Sequence, residues 1–334
     1  MFPVNILSRN MAEVVTVEEA EKLDPESSTA YIGFEPSGLP HIATGILWTM
    51  KVKELAEAGI RVTVLLADLH SQINDKLGGD IQRIRESGRM IERCMKAYGL
   101  PSDVEFKWAT DLVKNMDYWT TLIKVAKSST LSRLKRSLPI MGRTEEDAEG
   151  DFSKFIYPLM QVTDIVYSGF DIALGGMDQR HAHMLQRDIA ERMGVKKVVS
   201  VHGNLLESLK GTGRMDPFKK MSKSDADSAI FMTDSETEVV RKISSAFCPV
   251  KETSGNPVVD ILKYIILPYS EDGIEIVRPP SKGGAISFTD FAEFSRVYEK
   301  GEIHPLDLKK AVASGLNNLM EKGRRALAAD LSPM

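Results

Sequence analysis

The chain has 334 residues, 43% of them hydrophobic and 27% charged, with a net charge of −4. That length accommodates a large core and two domains, the composition excludes a disordered chain, and the acidic balance excludes a strongly basic nucleic-acid coat. No apolar run approaches the ~20 residues that span a bilayer, so no membrane partner is expected. Residues 1–23 turn acidic at once and lack the basic, apolar and cleavable regions of a signal peptide, which makes the cytoplasm the expected location. Cys94 and Cys248 are the only cysteines and form no CxxC pair, so neither a disulfide framework nor a metal site is expected.

In chain order, residues 30–34 read as a short buried strand ending at Glu35-Pro36-Ser37-Gly38. A helix-period stretch over 44–58 follows, with Gly59 as its stop. The β-branched and apolar run 61–67 (RVTVLLA) predicts a buried parallel strand, ending at Asp68, Leu69 and His70. Residues 104–108 read as the next strand, and a mainly helical segment continues to about residue 139. Residues 118–144 contain no acidic side chain but hold Lys124, Lys127, Arg133, Lys135, Arg136 and Arg143. A small basic face on an acidic protein suits the docking of one folded RNA; a solvated helix face is the plainer alternative. Further strands are expected at 170–174 and 198–201, separated by a helix that stops at Gly194.

After residue 233 the pattern becomes helical, over 235–247, 257–266, 288–298 and 305–328, and Ser235 with Glu238 three residues on forms a helix-start signal. The expected fold class is α/β. A Rossmann-type parallel sheet over residues 1–233, with a helical insertion at about 110–150, precedes a mainly α-helical C-terminal domain over 234–334. Ligands of such sheets bind beyond the carboxyl ends of the strands, so Glu35, Asp68, His70, Asp178 and Gln179 should converge there.

Two motifs carry chemistry. The first joins strand to helix: Pro36-Ser37-Gly38-Leu39-Pro40-His41-Ile42-Ala43-Thr44-Gly45. A glycine loop at a helix start can hold phosphate with backbone amides and the helix dipole, and His41 can donate to phosphate oxygens. The second is Lys220-Met221-Ser222-Lys223-Ser224 within a loop at 211–226, where two lysines can clamp a triphosphate. A third pattern is geometric. Tyr157, Gln161 and Asp164 stand at i, i+4 and i+7, so a helix presents all three on one face.

In that order and context, the two motifs resemble those of class I aminoacyl-tRNA synthetases. The segments Tyr31–Gly38, Leu66–His70, Tyr157–Asp164 and Gly175–Arg180 are similar to those of tyrosyl-tRNA synthetases of the archaeal and eukaryotic type, and the resemblance covers about residues 30–310. It implies an enzyme that activates L-tyrosine with ATP, accompanied by Mg²⁺ and without a tightly bound cofactor, and loads it onto tRNA-Tyr as a homodimer built through the insertion. It implies that Tyr31 and Asp164 hold the substrate phenol, that Tyr157, Gln161 and Gln179 hold the amino-acid end, and that Glu35 stands where the bacterial branch has aspartate. Gly38, His41, Thr44, Asp178, Lys220, Ser222 and Lys223 fall on ATP-binding positions, with His41, Lys220 and Lys223 stabilising phosphate charge and Asp178 on the ribose. Arg136 and Arg180 fall on positions that meet the tRNA acceptor end, and His304 and Asp307 on positions that read the anticodon.

The chain departs from the family pattern in places. The His-Ile-Gly-His tetrad reads His41-Ile42-Ala43-Thr44, which removes a glycine and a histidine and places more of the phosphate work on Lys220 and Lys223. Lys282 stands where a relative has an aromatic ring. The pair Tyr31 and Asp164 fits a phenol better than the indole of a tryptophanyl enzyme. The helical C-terminal part and the basic insertion argue against a small-molecule adenylyltransferase. His41, Asp178, Lys220 and Lys223 argue against a non-catalytic RNA-binding relative. His181 and His183 point apart at i, i+2 and are read as structural or close to RNA.

Overall fold

The computed structural model describes residues 4–211, 221 and 225–331. Its main sheet contains β1 (Glu13–Val15), β2 (Thr29–Phe34), β3 (Arg61–Leu66), β4 (Glu105–Trp108), β5 (Ile172–Gly176) and β6 (Val199–Gly203). The order across it is β1-β6-β5-β2-β3-β4, with β1 antiparallel to β6 and all other neighbours parallel. The buried run of β3 and its neighbours is what a parallel sheet covered on both faces requires. The chain leaves β2 toward β3 and β4 on one side and returns to β5 and β6 on the other, so the switch point of the topology lies between β2 and β5.

The helices that matter for the site are α1 (Thr49–Glu57), α2 (Asp68–Ile73), α3 (Ile81–Ala97), α4 (Met116–Ser128), α5 (Leu131–Ser137), α6 (Ser153–Ser168) and α7 (Arg180–Met193). The basic insertion supplies α4 and α5. Its Val125 joins Leu159 and Val162 of α6 and Leu185 and Ile189 of α7 in one buried cluster. Gly194 ends α7 in the left-handed conformation, with φ of 66°.

Contact clustering divides the chain into two compact units. One comprises the chain through Gly38, Lys51–Glu92 and Leu100–Asn204; the other comprises Leu39–Met50, Arg93–Gly99 and the chain from Leu205 onward. The first phosphate motif from Leu39 onward thus falls in the second unit. The reason is local pairing. Ile42 N–H donates to Ile230 O at 3.0 Å, Met232 N–H donates to Pro40 O at 2.9 Å, and His41 bridges Phe231 in antiparallel fashion.

The second unit contains α8 (Glu236–Ser245), α9 (Phe291–Lys300) and α10 (Pro305–Leu331), with Ser235 capping α8 by accepting from Glu238 N–H at 3.2 Å. It also contains a hairpin of β7 (Ile274–Ile276) and β8 (Ile286–Phe288), which the helical reading of this region did not anticipate. The helix expected over 44–58 begins as a wide π turn, Ala43–Trp48, before α1. Such turns are rare and concentrate at functional sites. Gly45 lies within it, and a Cβ there would come within 2.2 Å of Met232 Cγ. Gly45→Val should therefore overpack this contact and lower stability by about 1–3 kcal/mol, seen as a lower urea midpoint; a parental midpoint would show that Met232 can move aside without cost.

Candidate active site

Helix α6 carries Tyr157, Gln161 and Asp164 on successive turns of its buried face. These three, together with Tyr31, Glu35 and Gln179, line a single small cavity of about 30 Å³ at the carboxyl ends of β2 and β3. Leu65, Ala67 and His70 line it as well. All six side chains placed in the amino-acid site by the sequence thus come together in the first unit, on β2, on the turn after it, on α6 and on the turn after β5.

Asp164 is the most constrained of them, at 1% exposure. Its Oδ1 accepts from the Tyr118 hydroxyl at 2.7 Å, and its Oδ2 lies 3.2 Å from His70 Nε2. Tyr118 comes from α4, 46 residues before Asp164. Burial first, and the Asp164 charge second, push the Tyr118 hydroxyl far above its ordinary pKa, so it stays protonated and donates. The same two causes, in the same order, keep the Tyr31 hydroxyl protonated. Tyr31 stacks on Phe170 with ring centroids 5.2 Å apart, which fixes where its hydroxyl points. The Tyr157 ring meets His70 edge-on at 5.0 Å, and burial holds its hydroxyl protonated too. The result is a buried carboxylate that accepts from the Tyr118 hydroxyl, with His70 beside it and the protonated phenols of Tyr31 and Tyr157 lining the same cavity.

One helical turn before Asp164, Gln161 Nε2 donates to Gln179 Oε1 at 3.0 Å, and Gln179 Nε2 donates to Ile140 O at 3.0 Å. This chain of amides leaves Gln161 Oε1 buried without a hydrogen-bond partner among the described residues. A buried acceptor of that kind suits an ammonium donor. Glu35 has one oxygen engaged by Asn74 Nδ2 at 2.8 Å and the other 3.5 Å from Lys76 Nζ. It shapes the cavity while already paired.

Tyr118 was not assigned to the site from the sequence, and His70 was expected to converge at the strand ends without being given a role. His70 could have been promoted, because it ends the turn after β3. Tyr118 carried no such signal, since it reads as one aromatic in an amphipathic helix. Asp68 converges on the strand ends as expected but is structural. Its carboxylate accepts from Thr110 N–H at 3.0 Å, from the Thr110 hydroxyl at 2.9 Å and from Arg85 Nε at 3.2 Å.

The phosphate motifs are described in part. Gly38, at φ of 132°, has its N–H donated to Ser87 Oγ at 2.9 Å, so that amide is committed within the protein and not open to phosphate. Asp178 sits half-buried in the turn that follows β5. In the second unit His41 is half-buried, and Thr44 is buried with its carbonyl accepting from Thr49 Oγ1 at 3.1 Å. Lys220, Ser222 and Lys223 lie outside the described residues. Met221, between them, is buried, and its N–H donates to Leu206 O at 2.9 Å.

The basic stretch is partly neutralised from within. Arg133 pairs with Asp188, Lys135 lies 2.7 Å from Glu145, and Arg143 Nε donates to Asn74 Oδ1 at 2.8 Å. Arg136 is exposed. Arg180, Arg133 and Arg136 all lie close enough to His181 that, after burial, their charges hold its imidazole below the ordinary pKa. In the second unit His304 caps α10, its Nδ1 accepting from Leu306 N–H at 3.2 Å. Asp307 lines an open groove of about 800 Å³ with Lys310 and the segment around β7.

The family model described as tRNA synthetases class I (W and Y) matches residues 24–321. The tyrosine–tRNA ligase of Picrophilus torridus is 57% identical over 330 residues, 99% of this chain and 100% of that protein. The tyrosine–tRNA ligase of Thermoplasma acidophilum is 52% identical over 99% of both. Among solved structures, the tyrosyl-tRNA synthetase of Aeropyrum pernix superposes with a TM-score of 0.87 at 45% identity, over 98% of this chain and 94% of that one. That of Pyrococcus horikoshii, complexed with L-tyrosine, does so with a TM-score of 0.90 at 39% identity, over 98% and 96%. With a buried aromatic-hydroxyl cavity at the switch point of a parallel sheet and likeness along nearly its whole length, the chain belongs to the class I tRNA synthetase family of the tryptophan and tyrosine enzymes.

Proposed function

We propose that the protein activates L-tyrosine with ATP and transfers it to the 3′ end of tRNA-Tyr. The observation that carries this reading is the buried Asp164 carboxylate held by Tyr118 beside His70, with Tyr31 in the same cavity. An indole offers an N–H where tyrosine offers a hydroxyl that both donates and accepts, and only the latter makes use of a carboxylate and a phenol together. Gln161 Oε1 receives the substrate ammonium, and Tyr157 and Gln179 frame that end. The relatives and the tyrosine-bound neighbour support the same substrate.

The substrate carboxylate attacks the α-phosphorus of ATP, which enters as its magnesium complex. The bond to the bridging oxygen breaks, and pyrophosphate leaves with its electron pair. A terminal ribose hydroxyl of tRNA then attacks the tyrosyl carbonyl of the adenylate and releases AMP. Neither step needs a protein nucleophile, so catalysis rests on alignment and on charge stabilisation. We assign the phosphate charge to His41, Lys220 and Lys223, with Thr44 and Ser222 as hydroxyl donors, the ribose to Asp178, the acceptor end to Arg136 and Arg180, and the anticodon to His304 and Asp307. Residues 1–233 carry the chemistry and 234–334 the anticodon contacts. Among the described residues no helix is long and apolar enough to cross a membrane; it is the loading of tRNA for translation that places the work in the cytoplasm.

The active species is a homodimer formed through the insertion. Met116, Trp119 and Ile123 stand at i, i+3 and i+7 on α4 and are 75%, 43% and 59% exposed. An apolar stripe of that kind on one helix face fits a partner surface. Ile123→Glu should give a monomer in sedimentation at concentrations where the parent is dimeric; an unchanged dimer would place the interface elsewhere.

Asp164→Ala should lower the preference for tyrosine over phenylalanine in ATP–pyrophosphate exchange by about a hundredfold or more, because a site built around a substrate hydroxyl loses its means of rejecting the analogue that lacks it. Circular dichroism checks that the fold survives. A parental tyrosine/phenylalanine ratio in a folded variant would remove Asp164 from the phenol site.

A further inference from the structure

A chain of four polar side chains runs outward from the core of the first unit. His183 and His202 are both 0% exposed, their rings are stacked 5.0 Å apart, and His183 Nδ1 lies 2.9 Å from His202 Nε2. His202 Nδ1 lies 2.8 Å from Glu13 Oε1, and that oxygen accepts from Arg180 Nε at 2.6 Å. Strand register fixes the order. Glu13 on β1 stands directly opposite His202 on β6, and His202 stands opposite Gly175 on β5. Gly175 leaves room for the last member, since a Cβ there would come within 3.3 Å of His183 Cε1 and 2.8 Å of Gln179 Cβ. Burial keeps both imidazoles neutral, pushing His183 down to about 3 and His202 below its ordinary range. Glu13 is thus wedged between a rigid buried pair and a surface arginine.

The contact engages the guanidinium at Nε. A guanidinium is planar with five donors, so a carboxylate held at Nε restrains the side chain while leaving the Nη donors uncommitted to it. Arg180 is 41% exposed at its side chain, so those donors can reach a ligand. Two effects of Glu13 oppose each other. Its charge partly cancels that of Arg180 toward a polyanion, and its grip removes the freedom that Arg180 would otherwise lose on binding. At an exposed site the charge effect is small, so the orienting effect should win.

We propose that Glu13, buttressed by His202 and His183, is a positioning residue for tRNA charging that holds the Nη donors of Arg180 toward the acceptor end of tRNA. This rests on the assignment of Arg180 as an acceptor-end contact. Steady-state aminoacylation with tRNA titrated, run beside pyrophosphate exchange, tests it on the parent, Glu13→Ala, Glu13→Gln, Arg180→Ala and the Glu13→Ala/Arg180→Ala double variant. Glu13→Ala should raise the KM for tRNA about two- to tenfold, the worth of one immobilised long side chain, with kcat and pyrophosphate exchange near parental values. Glu13→Gln, which keeps an oxygen acceptor, should fall between, and it decides the matter if the alanine variant does not fold. The double variant should match Arg180→Ala alone, because the effect passes through the arginine. Additive effects, or a tRNA KM that stays level or drops in both Glu13 variants while Arg180→Ala raises it, would overturn the positioning role. A parental tRNA KM in Arg180→Ala would overturn the assignment of Arg180 and the inference with it.

Discussion

A carboxylate that is 99% removed from water is tolerated only when donors surround it. Asp164 is such a group, and its polar neighbours come from distant stretches of chain. Tyr118 arrives on α4 from the insertion, and His70 arrives at the end of β3. Each of the two is buried in turn, so the three side chains tie α2, α4 and α6 together beside the central strand that carries Tyr31. The insertion therefore reaches a residue that lines the buried cavity as well as forming a surface feature. Losing Tyr118 would leave Oδ1 without its donor, which couples the environment of Asp164 to the packing of α4.

Much of this was legible from spacing. The i, i+4, i+7 pattern of Tyr157, Gln161 and Asp164 placed three polar groups on one face, and α6 presents them so. The continuous apolar run 61–67 gave a parallel strand, and the sheet order put Glu35 and Gln179 at the same edge. Other features left no periodic trace. Three-residue strands such as β1 and the β7–β8 hairpin are too short to show alternation, and their pairing is set by tertiary contacts. The π turn at Ala43–Trp48 keeps the composition of a helix, and only the fit of Gly45 against Met232 explains it. The committed amide of Gly38 was equally hidden, since it depends on Ser87, 49 residues away.

Charge read from sequence overstated the basic face. Arg133, Lys135 and Arg143 meet internal partners, as Arg180 does in Glu13, whereas Arg136 is exposed. Sequence order separates Glu13 from Arg180 by 167 positions, so only the sheet register reveals that one holds the other. At the start of α10, His304 serves the helix as a cap and Asp307 faces a groove, so the ordinary helix-start role and a base-reading role are compatible in neighbouring residues.

The selectivity proposed for Asp164 is measured directly by ATP–pyrophosphate exchange on the parent protein with tyrosine, phenylalanine or tryptophan as the sole amino acid. Tyrosine should exceed phenylalanine in kcat/KM by about 10⁴–10⁵, a ratio whose reference example is itself a tyrosyl enzyme and is carried over from it, and tryptophan should support no exchange. Comparable exchange with phenylalanine, or a preference for tryptophan, would contradict a phenol-binding carboxylate at residue 164.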